Sequence, residues 1–169
     1  GVGLITDLNN NNIKIEGRSV LLVGAGGTAK SILPSIIEMG PKTITLTNRT
    51  KKNAESLRGA FLHLFQIDCI LGENIDRNYD LVINTTSSQL SNMVPSINSI
   101  AVKGADSYDV NYSWQQTLFQ SWSNDNGSST ALQGWGMLVE QAAESFSIWR
   151  GVRPATSNVV DRLQAEVEN

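Results

Sequence analysis

A glycine-rich turn between an apolar strand and a helix most constrains the fold of this chain. The apolar run Val20–Val23 leads directly into GAGGTA, Gly24–Ala29, and a helix-like pattern follows. Such a strand, turn and helix cradle the pyrophosphate of a dinucleotide at the positive end of the helix dipole. Gly24 allows the tight turn, Gly26 lets the backbone approach the phosphates, and the small Ala29 permits close packing of helix and strand. A turn without a ligand is the alternative, but the flanking strand and helix favour a dinucleotide site.

Strand and helix patterns alternate along the whole chain. The sequence predicts strands at Ser19–Val23, Thr43–Thr47, Cys69–Leu71, Tyr79–Thr85, Ala105–Val110 and Thr130–Leu132. It predicts helices at Gly1–Asn9, about Thr28–Met39, Asn53–Phe65, Gln115–Ser123, Met137–Arg150 and Ala155 to about Val167. This alternation is typical of an α/β fold, a Rossmann-like doubly wound parallel sheet with helices on both faces, and we expect a single domain.

Helical spacing also predicts which side chains share a face. In the helix 53–65, we expect the apolar residues to point inward; they are Ala54, Leu57, Phe61 and Leu64. In the helix 137–150, four apolar residues lie on one face; they are Leu138, Ala142, Phe146 and Trp149. Both patterns are typical of amphipathic helices.

The composition excludes several classes of protein. The 169 residues are 40% hydrophobic and 17% charged, with a net charge of −3 and no basic run, so nucleic acid is not an expected partner. The apolar runs are too short to span a bilayer, and we expect neither a signal peptide nor a metal site. The single cysteine, Cys69, lies in an apolar run and is expected to be a buried structural thiol. A cytoplasmic protein is the expectation.

The end of the second strand indicates which dinucleotide would bind. Enzymes that use NAD place a carboxylate there for the ribose 2′-hydroxyl, whereas a nearby arginine accommodates the 2′-phosphate of NADP. This chain has Asn48 and Arg49 at that position, and Lys51 or Lys52 can add positive charge. A polar turn with solvated charges is the alternative. Given the glycine turn, the absent carboxylate favours NADP over NAD.

These motifs, taken together, resemble those of the shikimate dehydrogenase family, specifically its C-terminal NADP-binding domain. The resemblance extends in order over nearly the whole chain. It rests on GVGL at Gly1–Leu4, VLLVGAGGTAKSILPSIIEMG at Val20–Gly40, NRT at Asn48–Thr50, YDLVINTTSS at Tyr79–Ser88, YDVNY at Tyr108–Tyr112 and GWGMLVEQAAESFSIWRGVRP at Gly134–Pro154. The last block is the most specific.

The resemblance implies a function and a domain organisation. The complete enzyme would reduce 3-dehydroshikimate to shikimate with NADPH, in the shikimate pathway of aromatic amino-acid biosynthesis. Residues 1–169 would form its NADP-binding domain, with the C-terminal helices 137–169 packing back toward the substrate cleft. The implied cofactor-binding residues are Gly24, Ala25, Gly26, Gly27, Thr28, Ala29, Asn48, Arg49, Thr50, Lys51, Thr86, Ser87, Ser88, Val110, Gly134 and Met137.

Within that set, Val110, Gly134 and Met137 would surround the nicotinamide. Tyr112 and Gln141 would reach toward the substrate, although a packed aromatic and a solvated helix residue are the plainer alternatives. Some positions depart from the family pattern. Asn53 stands where many relatives have a second arginine for the 2′-phosphate, so Lys51 or Lys52 would have to substitute; Gln133 and Trp135 replace an aspartate and a leucine or tyrosine.

The resemblance implies that the family's catalytic aspartate lies in a short motif just before the segment that aligns with Gly1, and that the catalytic lysine and most substrate-binding residues belong to an N-terminal domain. This chain matches neither. We therefore expect no catalytic residue here, weak NADPH binding and no turnover by the chain alone. Asp109 is expected to be structural rather than a general acid, and His63 is expected on a helix surface. A domain without its neighbour would expose an apolar face, which predicts self-association, for example as a homodimer. The alternatives are a quinate/shikimate dehydrogenase with relaxed cofactor use and a non-catalytic NADP-sensing module.

Overall fold

A six-stranded parallel sheet forms the centre of the protein. The structure is a computed structural model that describes residues 1–88 and 92–167. The strands follow the spatial order β3-β2-β1-β4-β5-β6 and are all parallel. They are β1 (Ser19–Val23), β2 (Thr43–Thr47), β3 (Ile67–Ile70), β4 (Leu81–Asn84), β5 (Asp106–Asp109) and β6 (Thr130–Gln133). This is the doubly wound order, and it confirms the predicted α/β Rossmann-like fold.

Among the residues that the structure describes, six α-helices connect or flank these strands. They are α1 (Val2–Asn10), α2 (Gly27–Glu38), α3 (Lys51–Phe61), α4 (Leu118–Asp125), α5 (Trp135–Arg150) and α6 (Ser157–Val167). Short 3₁₀ helices occupy Gly72–Asn74 and Ser99–Val102. Because the strands are all parallel, their carboxyl ends lie along one edge of the sheet, and the strand order reverses between β1 and β4. Ligands of such sheets bind in the crevice at that reversal.

Two hydrophobic cores lie on the two faces of the sheet. Successive side chains of a strand point to opposite faces, so Val20 and Leu22 join one core while Leu21 and Val23 join the other. The first core contains apolar residues of α1, α2, α3 and α5; they include Leu4, Leu8, Ile32, Leu33, Ala54, Leu57 and Met137. The second contains Phe119 of α4 with Ala101 and Val102. Both faces are therefore covered, as a parallel sheet requires.

The helix α3 differs from its prediction. It begins at Lys51 and ends at Phe61, four residues before the predicted end. Ala54 and Leu57 are buried as expected, but Leu64 lies beyond the helix and is 54% exposed, so its predicted inward position is wrong. The chain turns after Phe61 and enters β3 two residues earlier than predicted, at Ile67. His63 lies in this turn rather than in a helix and is exposed.

The apolar face of α5 is present but points away from the sheet. Its members are exposed, with Leu138 at 38%, Phe146 at 45% and Trp149 at 79%. The opposite side of the helix is buried and includes Met137 and Glu140. We call the set Leu138, Ala142, Phe146 and Trp149 the outward face of α5. Helical periodicity identified this face, but its amphipathic pattern does not report which side meets the domain's own core.

Candidate functional site

The glycine turn follows the carboxyl end of β1. It lies beside the loop that begins after β4. Gly24 has φ of +109°, a region that L side chains rarely adopt, and its N–H donates to the Thr47 carbonyl at 2.8 Å. A Cβ atom at Gly24 would lie 2.5 Å from Thr85 Oγ1. The hydroxyl of Thr85 in turn donates to the Val23 carbonyl at 2.9 Å. The fold itself therefore requires glycine at position 24.

The next two glycines have no such structural requirement. Gly26 is the N-cap of α2 with φ of −87°, and no side chain caps the helix there. Cβ atoms added at Gly26 or Gly27 would meet nothing within 4 Å. The first turn of α2 therefore has no side-chain cap, and the space beside Gly26 and Gly27 is open at the positive end of the helix dipole. This is the geometry that receives a phosphate group, and it is the feature that the glycine pattern predicted.

The turn after β2 carries the residues predicted to bind the adenosine end. Asn48 is half-buried and its Nδ2 donates to the Thr50 carbonyl at 2.9 Å, which shapes the turn. Arg49 is exposed and has no ion-pair partner in the part of the chain that the structure describes. Lys51 lies 3.6 Å from Glu55, in an exposed pair within α3. Such a pair contributes little to stability, so Lys51 is free to exchange partners.

A groove of about 330 Å³ separates the first turn of α2 from α3. Its lining includes Gly26, Gly27 and Lys30 on one side and Asn53 and Ser56 on the other. Sequence reasoning placed Gly26 and Gly27 at the pyrophosphate but missed Lys30. The available signal was its position, one turn into the helix that follows the glycines.

Side-chain hydrogen bonds join the carboxyl ends of β4 and β5. Asn84 Nδ2 donates to Asp109 Oδ1 at 3.0 Å, while Asn84 Oδ1 accepts from the backbone N–H and the hydroxyl of Thr86. Asn111 donates through its backbone N–H and its Nδ2 to Asp109 Oδ1, and that Nδ2 also donates to the Thr86 carbonyl. The hydroxyls of Thr86 and Ser88 lie 2.8 Å apart. This network fixes the loop 85–88, which carries the predicted cofactor contacts Thr86, Ser87 and Ser88.

Asp109 lies at the centre of this network and has no exposed surface. Burial raises the pKa of its carboxyl, and hydrogen bonds from Thr117, Asn111 and Asn84 offset part of that rise. Its Oδ1 accepts three donors from Asn84 and Asn111. A carboxylate held in this way supports two strand ends, and it is out of reach of a substrate hydroxyl. The geometry agrees with the structural role that we expected for Asp109.

The raised pKa of Asp109 predicts a pH-dependent contribution to stability. Because the folded-state pKa lies above the unfolded value of about 4, stability from this group is fully present below the unfolded pKa and is lost as pH rises through the folded pKa. Urea unfolding at a series of pH values should show the stability of the unchanged chain falling relative to Asp109→Asn as pH rises from acid to neutral. A constant difference across that range would contradict the assignment.

Asp80 offers a control of opposite sign. Hydrogen bonds from the Ser19 hydroxyl and backbone N–H, at 2.6 Å and 2.8 Å, lower the pKa of its carboxyl. Its contribution is present above the unfolded pKa and is lost as pH falls through the folded pKa. Relative to Asp80→Asn, the unchanged chain should therefore lose stability toward acid, which is the reverse of the Asp109 result.

The residues predicted around the nicotinamide meet at the carboxyl ends of β5 and β6. The Gly134 N–H donates to the Asn111 carbonyl at 2.8 Å, and a Cβ at Gly134 would collide with the Val110 carbonyl oxygen. Met137, in the first turn of α5, is buried. Glycine at 134 thus allows the start of α5 to pack against the segment after β5. The structure brings Val110, Gly134 and Met137 to the same edge of the sheet as the glycine turn.

An aromatic cluster that sequence reasoning did not predict lies beside them. The ring of Trp135 lies 4.5 Å from that of Tyr112 and 4.8 Å from that of Trp114, between centroids, and its Nε1 donates to the Ser113 carbonyl. Gln133 Oε1 accepts from the Ser113 N–H at 2.8 Å. Gln133 and Trp135, two of the residues that depart from the family pattern, therefore hold the segment 112–114 in place.

The two predicted substrate contacts lie on different elements. Tyr112 is 44% exposed and packs on Trp135. Gln141 is exposed on α5, close to the start of α1, where a Cβ at Gly3 would lie 2.6 Å from Gln141 Cγ. No hydrogen bond joins Tyr112 to Gln141 in the described structure. Both remain available to a ligand.

Comparisons with known proteins identify the family. A family model described as Shikimate / quinate 5-dehydrogenase matches residues 7–105, more than half of the chain, and a second, described as Shikimate 5'-dehydrogenase C-terminal domain, matches residues 134–164. The shikimate dehydrogenase (NADP(+)) of Psychromonas ingrahamii is 39% identical over 97% of this chain, and that of Vibrio cholerae is 36% identical over 99%. The chain spans 61% of the length of each of these relatives.

Solved structures agree with the sequence comparisons. An Ael1 enzyme from Pseudomonas putida superposes with a TM-score of 0.87 and 33% identity, over 96% of this chain and 61% of that one. The shikimate dehydrogenase of Aquifex aeolicus gives a TM-score of 0.79 and 27% identity, over 96% of this chain and 59% of that one. Within residues 1–88 and 92–167, no helix is both long and apolar enough to span a membrane. The chain belongs to the shikimate/quinate 5-dehydrogenase family.

Proposed function

We propose that this chain is the NADP(H)-binding part of a shikimate dehydrogenase, which in the complete enzyme reduces 3-dehydroshikimate to shikimate with NADPH. The proposal rests on how two neighbouring turns are arranged at the carboxyl ends of β1 and β2. The uncapped first turn of α2 opens onto free space at Gly26 and Gly27, and the neighbouring turn after β2 offers Asn48 and Arg49 in place of a carboxylate. The first feature suits a pyrophosphate and the second suits a 2′-phosphate. Both of the sequence relatives named above are NADP(+) enzymes.

The chain's own residues would bind and orient the cofactor, which supplies the hydride when bound. The turn Gly24–Ala29 holds the pyrophosphate through backbone N–H groups that follow Gly24, whose own N–H is bonded to Thr47. Asn48, Arg49, Thr50 and Lys51 hold the adenosine 2′-phosphate. The loop Thr86–Ser88, fixed through Asn84 and Asp109, lies along the cofactor. The remaining residues, Val110, Gly134 and Met137, surround the nicotinamide, while Tyr112 and Gln141 contact the substrate. A network that holds these backbone segments rigid reduces the ordering cost of binding.

We further propose that residues 1–169 act as one NADP-binding domain whose helices 137–169 pack back toward the substrate cleft. The contacts of Glu140 support this arrangement. Glu140 is 2% exposed and lies 2.6 Å from the Arg153 guanidinium, and the Thr156 hydroxyl donates to it at 2.7 Å. Asn10 of α1 donates to the same carboxylate at 3.4 Å. The chain after α5 is thereby held against α1.

The outward face of α5 is the surface that we assign to the rest of the enzyme. An exposed apolar set of this size is unusual unless a partner covers it. The partner that we favour is the portion of the relatives' length that this chain does not span, and self-association would use the same face when that portion is absent. We place the protein in the cytoplasm, which its unpaired Cys69 supports.

Catalysis needs a group that exchanges a proton with the reacting hydroxyl. Asp109 is the acidic residue nearest in sequence to the proposed nicotinamide site. It is fully buried and its Oδ1 accepts three hydrogen bonds, so it is unsuited to that role. The isolated chain should therefore bind NADPH without catalysis. Quinate in place of shikimate is the alternative substrate, because the matching family model covers both activities by its description.

A titration of the purified chain with NADPH and NADH, followed by tryptophan fluorescence, tests the proposal. Trp135 lies at the nicotinamide side and should report binding. We expect tighter binding of NADPH, and about a tenfold loss of NADPH affinity in Arg49→Ala with NADH unaffected, since one charge-assisted hydrogen bond is worth about 1.5 kcal/mol. Arg162→Ala, on the exposed side of α6, is the matched control.

Three outcomes would contradict the proposal in different ways. Binding of neither dinucleotide would remove the cofactor assignment. Reduction of NADP⁺ by shikimate with the chain alone would contradict the expected lack of turnover and would require a catalytic group within these residues. If the chain binds NADPH but shows no dehydrogenase activity when combined with the rest of the enzyme, a non-catalytic NADP-sensing module would be favoured.

A further inference from the structure

The groove between α2 and α3 contains a positive charge that the cofactor assignment has not used. Lys30 lines this groove one turn after the glycines, opposite Asn53 of α3. Of the residues that line it, Lys30 alone is charged. Its side chain is exposed, and it forms no ion pair with the residues that the structure describes. The ammonium group is therefore available to an anion.

Asn53 places an uncharged amide on the α3 side of this groove. It is exposed and lies in the first turn of α3, three residues after the turn that carries Arg49. Lys51 is the other cation assigned to this end of the site, but Glu55, one helical turn along, partly neutralises it at 3.6 Å. A phosphate group beside Asn53 would have Arg49 on one side and an uncharged amide on the other. Lys30 lines the same groove as Asn53 and can therefore supply a second positive charge to that phosphate.

We propose that Lys30 supplies the charge that Asn53 lacks and thereby determines the preference for a ribose 2′-phosphate over a 2′-hydroxyl. The inference rests on the proposed NADP(H) function and names the residue that sets its selectivity. A lysine ammonium is a compact charge on a flexible stem, so it can reach across a groove to a phosphate oxygen. Because the group is exposed to solvent, the contribution should fall as ionic strength rises.

The test compares NADPH and NADH affinities of four chains at low salt. Lys30→Gln should bind NADPH about tenfold more weakly while NADH affinity stays within twofold of the unchanged chain. Lys42→Gln removes the same charge at the opposite edge of the sheet, before β2, and should change neither affinity. The double variant Lys30→Gln with Asn53→Arg should recover the NADPH preference, since it moves the cation across the groove. At 0.5 M salt the difference between the unchanged chain and Lys30→Gln should shrink.

The outcomes distinguish this inference from the function on which it rests. If the unchanged chain binds neither dinucleotide, the proposed function and the inference both fail. If it prefers NADPH and Lys30→Gln keeps that preference, the function stands and the role of Lys30 is wrong. If Lys30→Gln weakens NADPH and NADH equally, Lys30 acts on the pyrophosphate that both share, and the selectivity role is again wrong. Thermal unfolding of each variant identifies any loss that arises from folding.

Discussion

Gly136→Ala is expected to lower the free energy of unfolding by about 1–3 kcal/mol, the usual range for overpacking in a well-packed core. A Cβ atom at this position in α5 would collide with the carboxylate of Asp7 in α1. That carboxylate cannot move aside cheaply. Asp7 is 3% exposed and accepts a hydrogen bond from the Tyr108 hydroxyl at 2.5 Å and another from Asn11 Nδ2 at 3.1 Å. The added methyl group must separate α1 from α5 or break these bonds.

The surroundings of the Asp7 carboxyl group add to the expected loss of stability in Gly136→Ala. Burial raises the pKa of its carboxyl, while the Tyr108 hydroxyl and the Met137 backbone N–H at the start of α5 lower it. The carboxyl group lies beside the first turn of α5, at the positive end of the helix dipole. Displacing it would leave a buried carboxyl group with fewer hydrogen-bond partners, which adds to the cost of the steric clash.

Gly59→Ala is the matched control. Gly59 lies within α3, and a Cβ there would meet nothing within 4 Å. The same substitution should raise stability by up to about 1 kcal/mol, because alanine loses less backbone entropy than glycine in a helix. Urea unfolding followed by circular dichroism measures both variants. Equal effects at the two positions would mean that Asp7 does not hold α1 against α5.

The sequence predicted every strand of the sheet, and the differences from the structure lie in the strand bounds. The bounds of β1 and β2 were right to the residue, because each is a short apolar or β-branched run between glycine, asparagine or charged residues. The strand β3 was placed two residues late, since Asp68 interrupts its apolar pattern and is exposed at the sheet edge. The helix α3 was extended to Phe65 because leucines continue the helical spacing after the helix has ended.

Long-range polar contacts were beyond the reach of sequence patterns. Asp7 and Glu140 are acidic residues that local patterns assign to the surface, yet each is at most 3% exposed. Their partners are distant in the chain: Tyr108 for Asp7, and Asn10 among those of Glu140. No local periodicity encodes such pairs. The same limit explains why Lys30 was missed, since only the packing of α2 against α3 places it opposite Asn53.

Glycine motifs are ambiguous because a glycine can serve the fold or a ligand, and the structure separates the two cases here. Gly24 serves the fold, since its φ of +109° and its distance from Thr85 exclude a side chain. Gly26 has an ordinary backbone conformation and open space around its Cα. Because the fold does not require glycine at position 26, we infer that the missing side chain leaves room for a ligand at the start of α2.

Gly26→Ala is therefore expected to leave folding intact and to weaken NADPH binding by tenfold or more. Its free energy of unfolding should fall by no more than about 1 kcal/mol, because Gly26 is the N-cap of α2 and alanine is a poorer N-cap than glycine. The methyl group would occupy the space that we assign to the pyrophosphate, and a tenfold loss corresponds to about 1.4 kcal/mol. Fluorescence titration and urea unfolding of the same preparation give the two numbers.

Gly24→Ala provides the contrast, because it should lose both stability and binding. The comparison decides between a ligand site and a turn. A binding loss at Gly26 without a stability loss cannot come from the fold, so it would assign the first turn of α2 to the cofactor. Unchanged NADPH affinity in Gly26→Ala would place the phosphates elsewhere, and the glycine turn would then serve only to connect β1 to α2.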